Sequence, residues 1–414
     1  MKRDNVVHLS GPGSWSAPLS ILDEIAREGA KRMLQAALEA EVAEHVQKLS
    51  NMVDTQGRRV VVRNGYLPER DLITGVGPVA VKQPRVRDRN GVERFSSKIL
   101  PPFLRRLPSV DALIPVLYLK GISTGDFSEA LSAILGPRAV GLSAANIVRL
   151  KSGWEKEFET WSKRDLTNKH YAYWWVDGIY FNVRLEKDRP CILVIMGATA
   201  EGKKELIAVW DGQRESKASW LTVLRELKHR GLKEGPKVAT GDGALGFWAA
   251  LAQEFPQTRA QRCWVHKTAN VLDKIHKSRQ PDAKKLIHEM YMAPTKEEAM
   301  NSFKEFGTQY EAKYPKAVEC LLKDENTLFT FYDFPAEHWI HLRTTNPIES
   351  TFATIRHRSR QTKGCGSRKA TMSMVFKLAR EAEKGWRRLR GYRLISKVIE
   401  GVKFVDGEVL GAVA

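Results

Sequence analysis

The sequence has 414 residues, a length that suits about two or three domains, and its 43% apolar content is enough for real cores. Lys and Arg number 67 against 48 Asp and Glu, so the formal charge is +19 and the expected partner is a polyanion, nucleic acid before a membrane surface. A membrane span, a secretory signal and a disulfide framework are set aside: no run approaches roughly 18 apolar residues, MKRDNVVHLS has no apolar stretch, and four cysteines (Cys191, Cys263, Cys320, Cys365) follow no repeating spacing. The expected compartment is a reducing one, the cytoplasm.

Residues 1–19 are polar, carry Gly and Pro, and read as loose chain. Ser20 is placed to cap a helix running to about Leu49, with Leu22, Ile25, Met33, Ala37, Val42, Val46 and Leu49 as its apolar stripe. A strand-rich patch follows. In it Asn90-Gly91, between RVRDR and VERF, predicts a hairpin turn, and Pro84 makes the first of those strands an edge. Arg85, Arg87 and Arg89 share one face at period two; such a face either keeps a solvated edge from aggregating or contacts phosphates. Three helices are predicted next, Val110 to Lys120, Asp126 to Leu135, and Ala144 to Ser162 capped by Ser143. Their tight turns fit a helix-turn-helix and equally a small bundle. Arg149, Lys151 and Lys156 lend the last helix positive charge, which Glu155, Glu157 and Glu159 offset.

Tyr171 to Val183, YAYWWVDGIYFNV, is the strongest strand signal in the chain. Tyr171, Tyr173 and Trp175 point to one face, Ala172, Trp174 and Val176 to the other, and both faces are apolar, so the strand is expected to be central and covered on both sides. Asp177 sits within it, a costly place for a carboxylate unless it is paired, hydrogen-bonded or bound to a cation. Short turns lead to a second strand, Cys191 to Thr199, and a third, Glu205 to Asp211, so the three are antiparallel neighbours. A helix (Lys217 to Arg230), a strand (Lys237 to Thr240), a helix (Ala244 to Glu254) and a last strand (Thr258 to Cys263) follow. The fold class is therefore α/β, a mixed five-stranded sheet of ribonuclease-H type.

Asp242 lies just past the carboxyl end of its strand, where open α/β sheets place ligands, and Gly241 and Gly243 permit a sharp turn. GDGALG also matches G-x-G-x-x-G, but a carboxylate there would repel a pyrophosphate and the preceding strands are a meander, so a dinucleotide site is set aside. Glu349 is the third acid, in RTTNPIESTFATIRHRSR. With Asn346 as N-cap and Pro347 at the first helical position, it falls where a capping-box acid would. The helix it heads is basic, however. Arg356 shares its face, and Arg358, Arg360, Lys363, Arg368 and Lys369 extend the positive run. Three acids from distant segments are what phosphoryl transfer by two Mg²⁺ ions needs, with Mn²⁺ as a possible substitute.

Asp177 in WWVDG, Asp242 in TGDG, RCWVHK at Arg262 to Lys267, and TTNPIES with its basic helix together resemble the mutator-type bacterial insertion-sequence transposases. The resemblance covers the chain from the N-terminal helix to about residue 400. It implies a ribonuclease-H-like core whose catalytic, metal-holding acids are Asp177, Asp242 and Glu349. It also implies N-terminal modules that bind terminal inverted repeats, a DNA target, and no membrane partner. Two element ends must be held together, so a homodimer on DNA is expected, with the protein at the bacterial nucleoid. On this reading Arg85, Arg87, Arg89, Arg149, Lys151, Arg356, Arg358, Arg360 and Lys363 are the DNA-contact candidates.

The 107 residues between Asp242 and Glu349 are too many for one strand and its connection, and helical stretches such as Asp282 to Tyr291 and Lys296 to Tyr310 predict an all-α insertion there. The expected divisions are 1–108 (helix and hairpin) and 109–167 (helix-turn-helix-like), together a mainly α DNA-binding region, then 168–270 (core, first part), 271–340 (insertion) and 341–414 (core, second part). Cys263-x-x-His266 lacks a second Cys/His pair for zinc. The resemblance assigns Cys263, Trp264, His266 and Asn346 to support of the active site or DNA, with Trp264 stacking or packing. The stretch from Lys377 to Arg393, with Trp386 among basic residues, is either a solvated helix or a DNA-tracking one. A nuclease of the same fold that never joins strands, or a DNA-binding protein without catalysis, remain as alternatives.

Overall fold

A long helix over short strands begins the described chain. The computed structural model describes residues 21–91, 95–107, 109–110, 117, 129, 144–181, 191–212, 214–243, 245–361 and 367–410; of residues 144–151, 245, 354 and 357–361 only the backbone is described. By contact the chain divides into two units, Met1–Ile147 and Val148–Ala414.

In the first unit, α1 (Ile21–Lys48) precedes β1 (Val61–Tyr66), β2 (Arg70–Thr74), β3 (Gly77–Val81) and β4 (Pro84–Asp88). β2 and β3 form an antiparallel hairpin in which Thr74 faces Gly77, and Gly77 takes φ +99°, which glycine adopts without strain. β1 and β4 pair antiparallel on either side of that hairpin in the chain. α1 packs Ala30, Leu34 and Leu38 against Leu72, Val79, Val81 and Leu100.

The described part of residues 21–107 is one helix followed by four strands, and most of the further helices expected for the N-terminal region lie outside the described residues. Two expectations change here. The buried stripe of α1 runs through Leu34, Leu38 and Val42, whereas Leu22, Ile25 and Met33 are exposed; the i, i+4 row that meets the sheet is one position away from the row expected. β4 pairs with β1, and although Gly91 turns at φ +68°, the predicted return strand reaches residues 92–94, outside the described residues. Ser20 and the first two helices of the predicted helix-turn-helix also lie outside them, apart from a few positions.

α2 (Ala144–Ser162) crosses the division, and the second unit continues with β5 (Tyr171–Tyr180), β6 (Cys191–Thr199), β7 (Lys204–Gly212), α3 (Lys217–His229), β8 (Val238–Gly241), α4 (Leu245–Glu254) and β9 (Arg259–Arg262). The five strands form one sheet in the order β7-β6-β5-β8-β9. β5 pairs antiparallel with β6 and β6 with β7, while β8 runs parallel to β5 and β9 parallel to β8. So β5 is central, as its two apolar faces require. Trp174 and Val176 join Trp220, Leu224, Phe247 and Leu251 of α3 and α4 in one core. Tyr173 and Trp175 face away from it: the Tyr173 hydroxyl meets His338 Nδ1 at 2.6 Å and Trp175 Nε1 donates to the His341 carbonyl. Tyr171 lies with Trp174 rather than with Tyr173, because the register with β6 shifts between Tyr171 and Tyr173 and that irregularity turns the side chain over.

After β9 come α5 (Trp264–Leu272), α6 (Gln280–Met292), α7 (Lys296–Tyr310), α8 (Pro315–Leu322), single helical turns at Glu325–Leu328 and Trp339–Leu342, α9 (Asn346–Gln361) and α10 (Arg368–Glu383). From Cys263 to Thr345 the chain is helices and turns, without a strand. α10 ends at Glu383, so the basic stretch to Arg393 is not one helix; Gly385 follows the cap, and Gly391 turns left-handed at φ +67°. Among the described residues no helix is long and apolar enough to cross a membrane.

Candidate active site

Strand register places two of the three acids. Trp175 of β5 stands opposite Thr240 of β8, so Asp177 and Asp242, each two residues further on, share the carboxyl edge of neighbouring parallel strands. Asp177 is only 6% exposed, and its Oδ1 accepts the Gly178 N–H at 2.8 Å. Burial, and then the Asp242 charge, push its carboxyl up to about 7, while His266, the Gly178 N–H and Arg356 pull the other way. Asp242 sits between two glycines that the packing demands. A Cβ on Gly241 would lie 3.0 Å from Val176, and one on Gly243, at φ +91°, would lie 2.3 Å from the Arg262 guanidinium carbon. That guanidinium is buried and paired through Nε with Asp324 Oδ2 at 3.1 Å; the buried Lys267 ammonium shares the same carboxylate and donates to the Cys320 carbonyl at 2.6 Å. An acid from the helical stretch after β9 thus holds the two cations behind the Asp242 turn.

Three consecutive carbonyls bring the third acid to this edge. The His341 carbonyl accepts from Trp175 Nε1 (2.8 Å), Leu342 from Thr240 Oγ1 (2.9 Å) and Arg343 from the Trp264 N–H (2.9 Å). The chain then reaches Thr345, whose carbonyl accepts the Ile348 and Glu349 N–H groups at 2.9 and 3.0 Å. Thr345, not Asn346, therefore starts α9, and Asn346 is exposed at its first position. The Glu349 carboxylate accepts the Thr345 hydroxyl at 2.6 Å, not the backbone N–H of a capping box, because it stands one position deeper in the helix than expected.

Cys263 and His266 close the group. Thr345 N donates to Cys263 Sγ at 3.3 Å; its Oγ1, whose hydrogen goes to Glu349, lies 3.3 Å from the same sulfur and 3.4 Å from His266 Nδ1, which is 3.7 Å from Glu349 Oε1. Burial pushes the Cys263 thiol up, but hydrogen bonds with His266 and Thr345 outweigh it and leave it below its ordinary value. His266 is raised to about 9, chiefly by Cys263, against burial, and further by Asp177 and Glu349. The ligand atoms of Cys263, His266 and Glu349 all lie within 4.8 Å of one another, close enough to share an ion, so the third donor that a Cys-x-x-His pair lacks in the sequence is Glu349. The Thr345 hydroxyl lies among the three, with its hydrogen directed at Glu349. For a hard divalent ion the fitting donors are the carboxylates. Asp177 is desolvated beside Asp242, a repulsion that a cation would relieve.

Two residues at the site were not singled out from the sequence. One is Thr345. The other is Glu215, in the loop from β7 to α3, whose Oε2 lies 3.0 Å from where a Cβ on Gly178 would stand. Burial, then Asp242 and Asp177, push its carboxyl up to about 7. The signal for Glu215 was the meander itself: β7 runs in the same direction as β5, so the loop that follows it opens on the same edge.

Of the other candidates, Arg85 and Arg87 are exposed on β4, and Arg89 is exposed just past its end, with Nη1 3.7 Å from Asp54 Oδ2. Arg149 and Lys151 lie on α2 and Arg358 and Arg360 on α9, with side chains outside the described residues, as is all of Lys363. Arg356 is exposed, with its guanidinium 5.8 Å from the Phe352 ring centre. Trp264 is buried, donates from Nε1 to the Leu328 carbonyl and packs against Tyr291 and Phe329, so it is a packing residue. Arg368 and Lys369 pair with Asp211 and Glu155, at 3.8 and 3.2 Å.

The model of the family described as "Transposase, Mutator family" matches residues 14–389 of the chain. The transposase for insertion sequence element IS6120 of Mycolicibacterium smegmatis is 48% identical over 298 residues, 72% of this chain and 92% of that protein. The transposase for element IST2 of Acidithiobacillus ferrooxidans is 49% identical over 286 residues, 67% of this chain and 94% of that one. A solved chain from a simian T-cell lymphotropic virus intasome covers 51% of this chain and 64% of its own length at 13% identity, with a TM-score of 0.17, too low to relate the two folds.

Proposed function

This chain belongs to the Mutator family of transposases, and from that premise we propose that its three acids form the catalytic centre of a ribonuclease-H-like DNA transposase. A role in DNA transposition, as a DNA-processing enzyme of an insertion sequence, comes with the family. The observation that carries the finer reading is geometric: register puts Asp177 and Asp242 at adjoining strand ends, and the residues just past β9 reach Glu349, with His266 Nδ1 3.7 Å from its Oε1. The strand order, with three antiparallel strands followed by two parallel ones, supports the fold assignment.

In this reading Asp177, Asp242 and Glu349 would hold two Mg²⁺ ions, which would supply charge stabilisation of the transition state and activation of the attacking oxygen. The chain's own residues do the rest. Glu349 is aimed by Thr345 and by the clasped carbonyls before it. Arg356, exposed on the same helix and acting on Asp177, faces the strand edge where a phosphate would lie. In the first reaction water attacks phosphorus at an element end, the P–O3′ bond breaks, and the 3′ oxygen leaves as a hydroxyl after taking a proton. In the second that hydroxyl loses its proton and attacks a target phosphodiester, breaking one P–O bond as another forms. The arginines of β4 and the basic face of α9 would contact backbone phosphates, with terminal inverted repeats and target DNA as partners, a homodimer as the working unit, and the nucleoid as the place of action.

Asp177→Asn tests the reading. The variant should still bind labelled element-end DNA but lose Mg²⁺-dependent cleavage and joining by about a thousandfold or more, the loss of several kcal/mol of transition-state stabilisation. Wild-type strand joining by that variant would rule the site out. Cleavage without joining by the unaltered chain would instead make it a nuclease.

A further inference from the structure

We infer that Glu215 is a fourth carboxylate ligand of the metal centre, an inference that rests on the reading above. Its placement is built rather than incidental. Gly178, the residue after Asp177, has no side chain, and a Cβ there would stand 3.0 Å from both Glu215 Oε2 and Cys191 Sγ. Gly246, four residues past Asp242, does the same from the other side: a Cβ there would lie 2.6 Å from Lys217 N and 2.7 Å from Ser216 C. Gly178 on β5 and Gly246 in the first turn of α4 thus let the loop after β7 pack close to both elements. A methyl group at Gly178 would crowd the Glu215 carboxylate, and one at Gly246 would crowd the backbone of Ser216 and Lys217.

Few structural roles are open to Glu215. Ser216, not Glu215, is the N-cap of α3, and its side chain accepts the Ser219 N–H. The indole N–H of the fully buried Trp220 is near enough to favour the charged carboxylate somewhat, yet it makes no hydrogen bond of ordinary geometry among the described residues. No cation is within ion-pairing distance of Glu215 among the described residues, whereas the acids of the neighbouring surface loops and helices are paired, as Glu205 is with Lys169 and Glu254 with Arg225. A carboxylate packed against the residue after Asp177, with one loosely placed indole donor, no ion-pair partner and only the more distant His266 charge to favour it, is disposed to share a divalent ion. The sulfur of Cys191 is against the same glycine, but hard cations favour oxygen, so Cys191 is taken as packing.

The test uses Mn²⁺ binding to the full chain, read from the free-ion paramagnetic resonance signal without DNA, on wild type, Glu215→Gln and Asp177→Asn. Removing one of several repelling carboxylates by an isosteric amide should leave the Glu215→Gln chain melting in EDTA no lower than the wild type. Its Mn²⁺ affinity should fall by about tenfold or more, since loss of even an outer partner of a metal site brings that much. Gly178→Ala, which displaces the carboxylate without removing it, should weaken Mn²⁺ binding in the same direction. Wild-type Mn²⁺ affinity in Glu215→Gln, or a clear drop of its melting point in EDTA, overturns the inference and marks a structural acid. If Asp177→Asn also binds Mn²⁺ like the wild type, the metal centre itself fails; if Asp177→Asn loses binding while Glu215→Gln keeps it, only the fourth ligand does.

Discussion

Asp177 shows at the scale of a single residue how a buried acid reports on its surroundings. In the unfolded chain its carboxyl titrates near 4, whereas in the fold burial and Asp242 move it to about 7. Between those values the folded chain holds a proton that the unfolded chain has lost, so the metal-free protein loses stability as pH rises from about 4 to about 7, by at most roughly 4 kcal/mol from this group. His266, raised to about 9, adds a loss of the same sign as pH climbs from its ordinary value through 9, because the folded state favours its protonated form. Melting in EDTA across pH 5 to 8 should therefore show a declining midpoint, and Asp177→Asn should flatten its lower part. A wild-type midpoint that climbs over this range, or an equal slope in the variant, would contradict the placement of Asp177. That this residue was special could be read from the sequence, since a carboxylate in YAYWWVDGIY has no ordinary role. Glu215 was half legible: the meander puts the loop after the third strand on the same edge, but no periodicity or spacing says which residue of that loop turns inward.

Elements carry the acids by clasping one another. Thr240, fully buried at the end of β8, donates its hydroxyl to the Leu342 carbonyl, one of three bonds that hold residues 341–343 across the strand ends. Thr240→Val keeps the shape and removes the donor, leaving a buried carbonyl unsatisfied at a cost of about 1–3 kcal/mol. Urea unfolding should show that loss, Thr240→Ser should restore most of it, and cleavage should fall with the valine variant because Glu349 is delivered by this segment. An unchanged unfolding midpoint would show that the clasp is idle. Strands β5 to β8 were legible because they are rich in apolar residues, and the turns between the first three are short; β9, RAQR, has no such pattern and was legible only from its place after α4. α1 was read one row off since both its rows hold apolar residues, and only packing on Leu72, Val79 and Val81 selects Leu34 and Leu38. The pairing of β4 with β1 was hidden for a related reason: Asn90-Gly91 is a real turn signal, but a partner more than twenty residues upstream leaves no local trace. The start of α9 was off by one residue, where Thr345 and Asn346 both suit a cap.

The molecule as a whole is strongly basic, +19 in formal charge, and its proposed ligand is a polyanion. Binding to element-end DNA should weaken steeply with salt. If Arg85 and Arg87 neutralise phosphates, the double alanine variant should lower the slope of log affinity against log salt by roughly 0.9 for each phosphate left without its arginine. An unchanged slope would leave these arginines as guards of an exposed strand edge. Arg89 is left out of that variant because Asp54 is already near it. In the larger unit, the backbone bond from Trp264 to Arg343 joins the point where the peptide leaves the sheet to the point where it comes back, nearly eighty residues later. The helices in between form an excursion that is fastened to the sheet a second time, where Asp324 grips Arg262 and Lys267 and the Leu328 carbonyl accepts from Gln261. A detour anchored in this way can lengthen or shrink without moving its doorposts only where the change spares that inner grip.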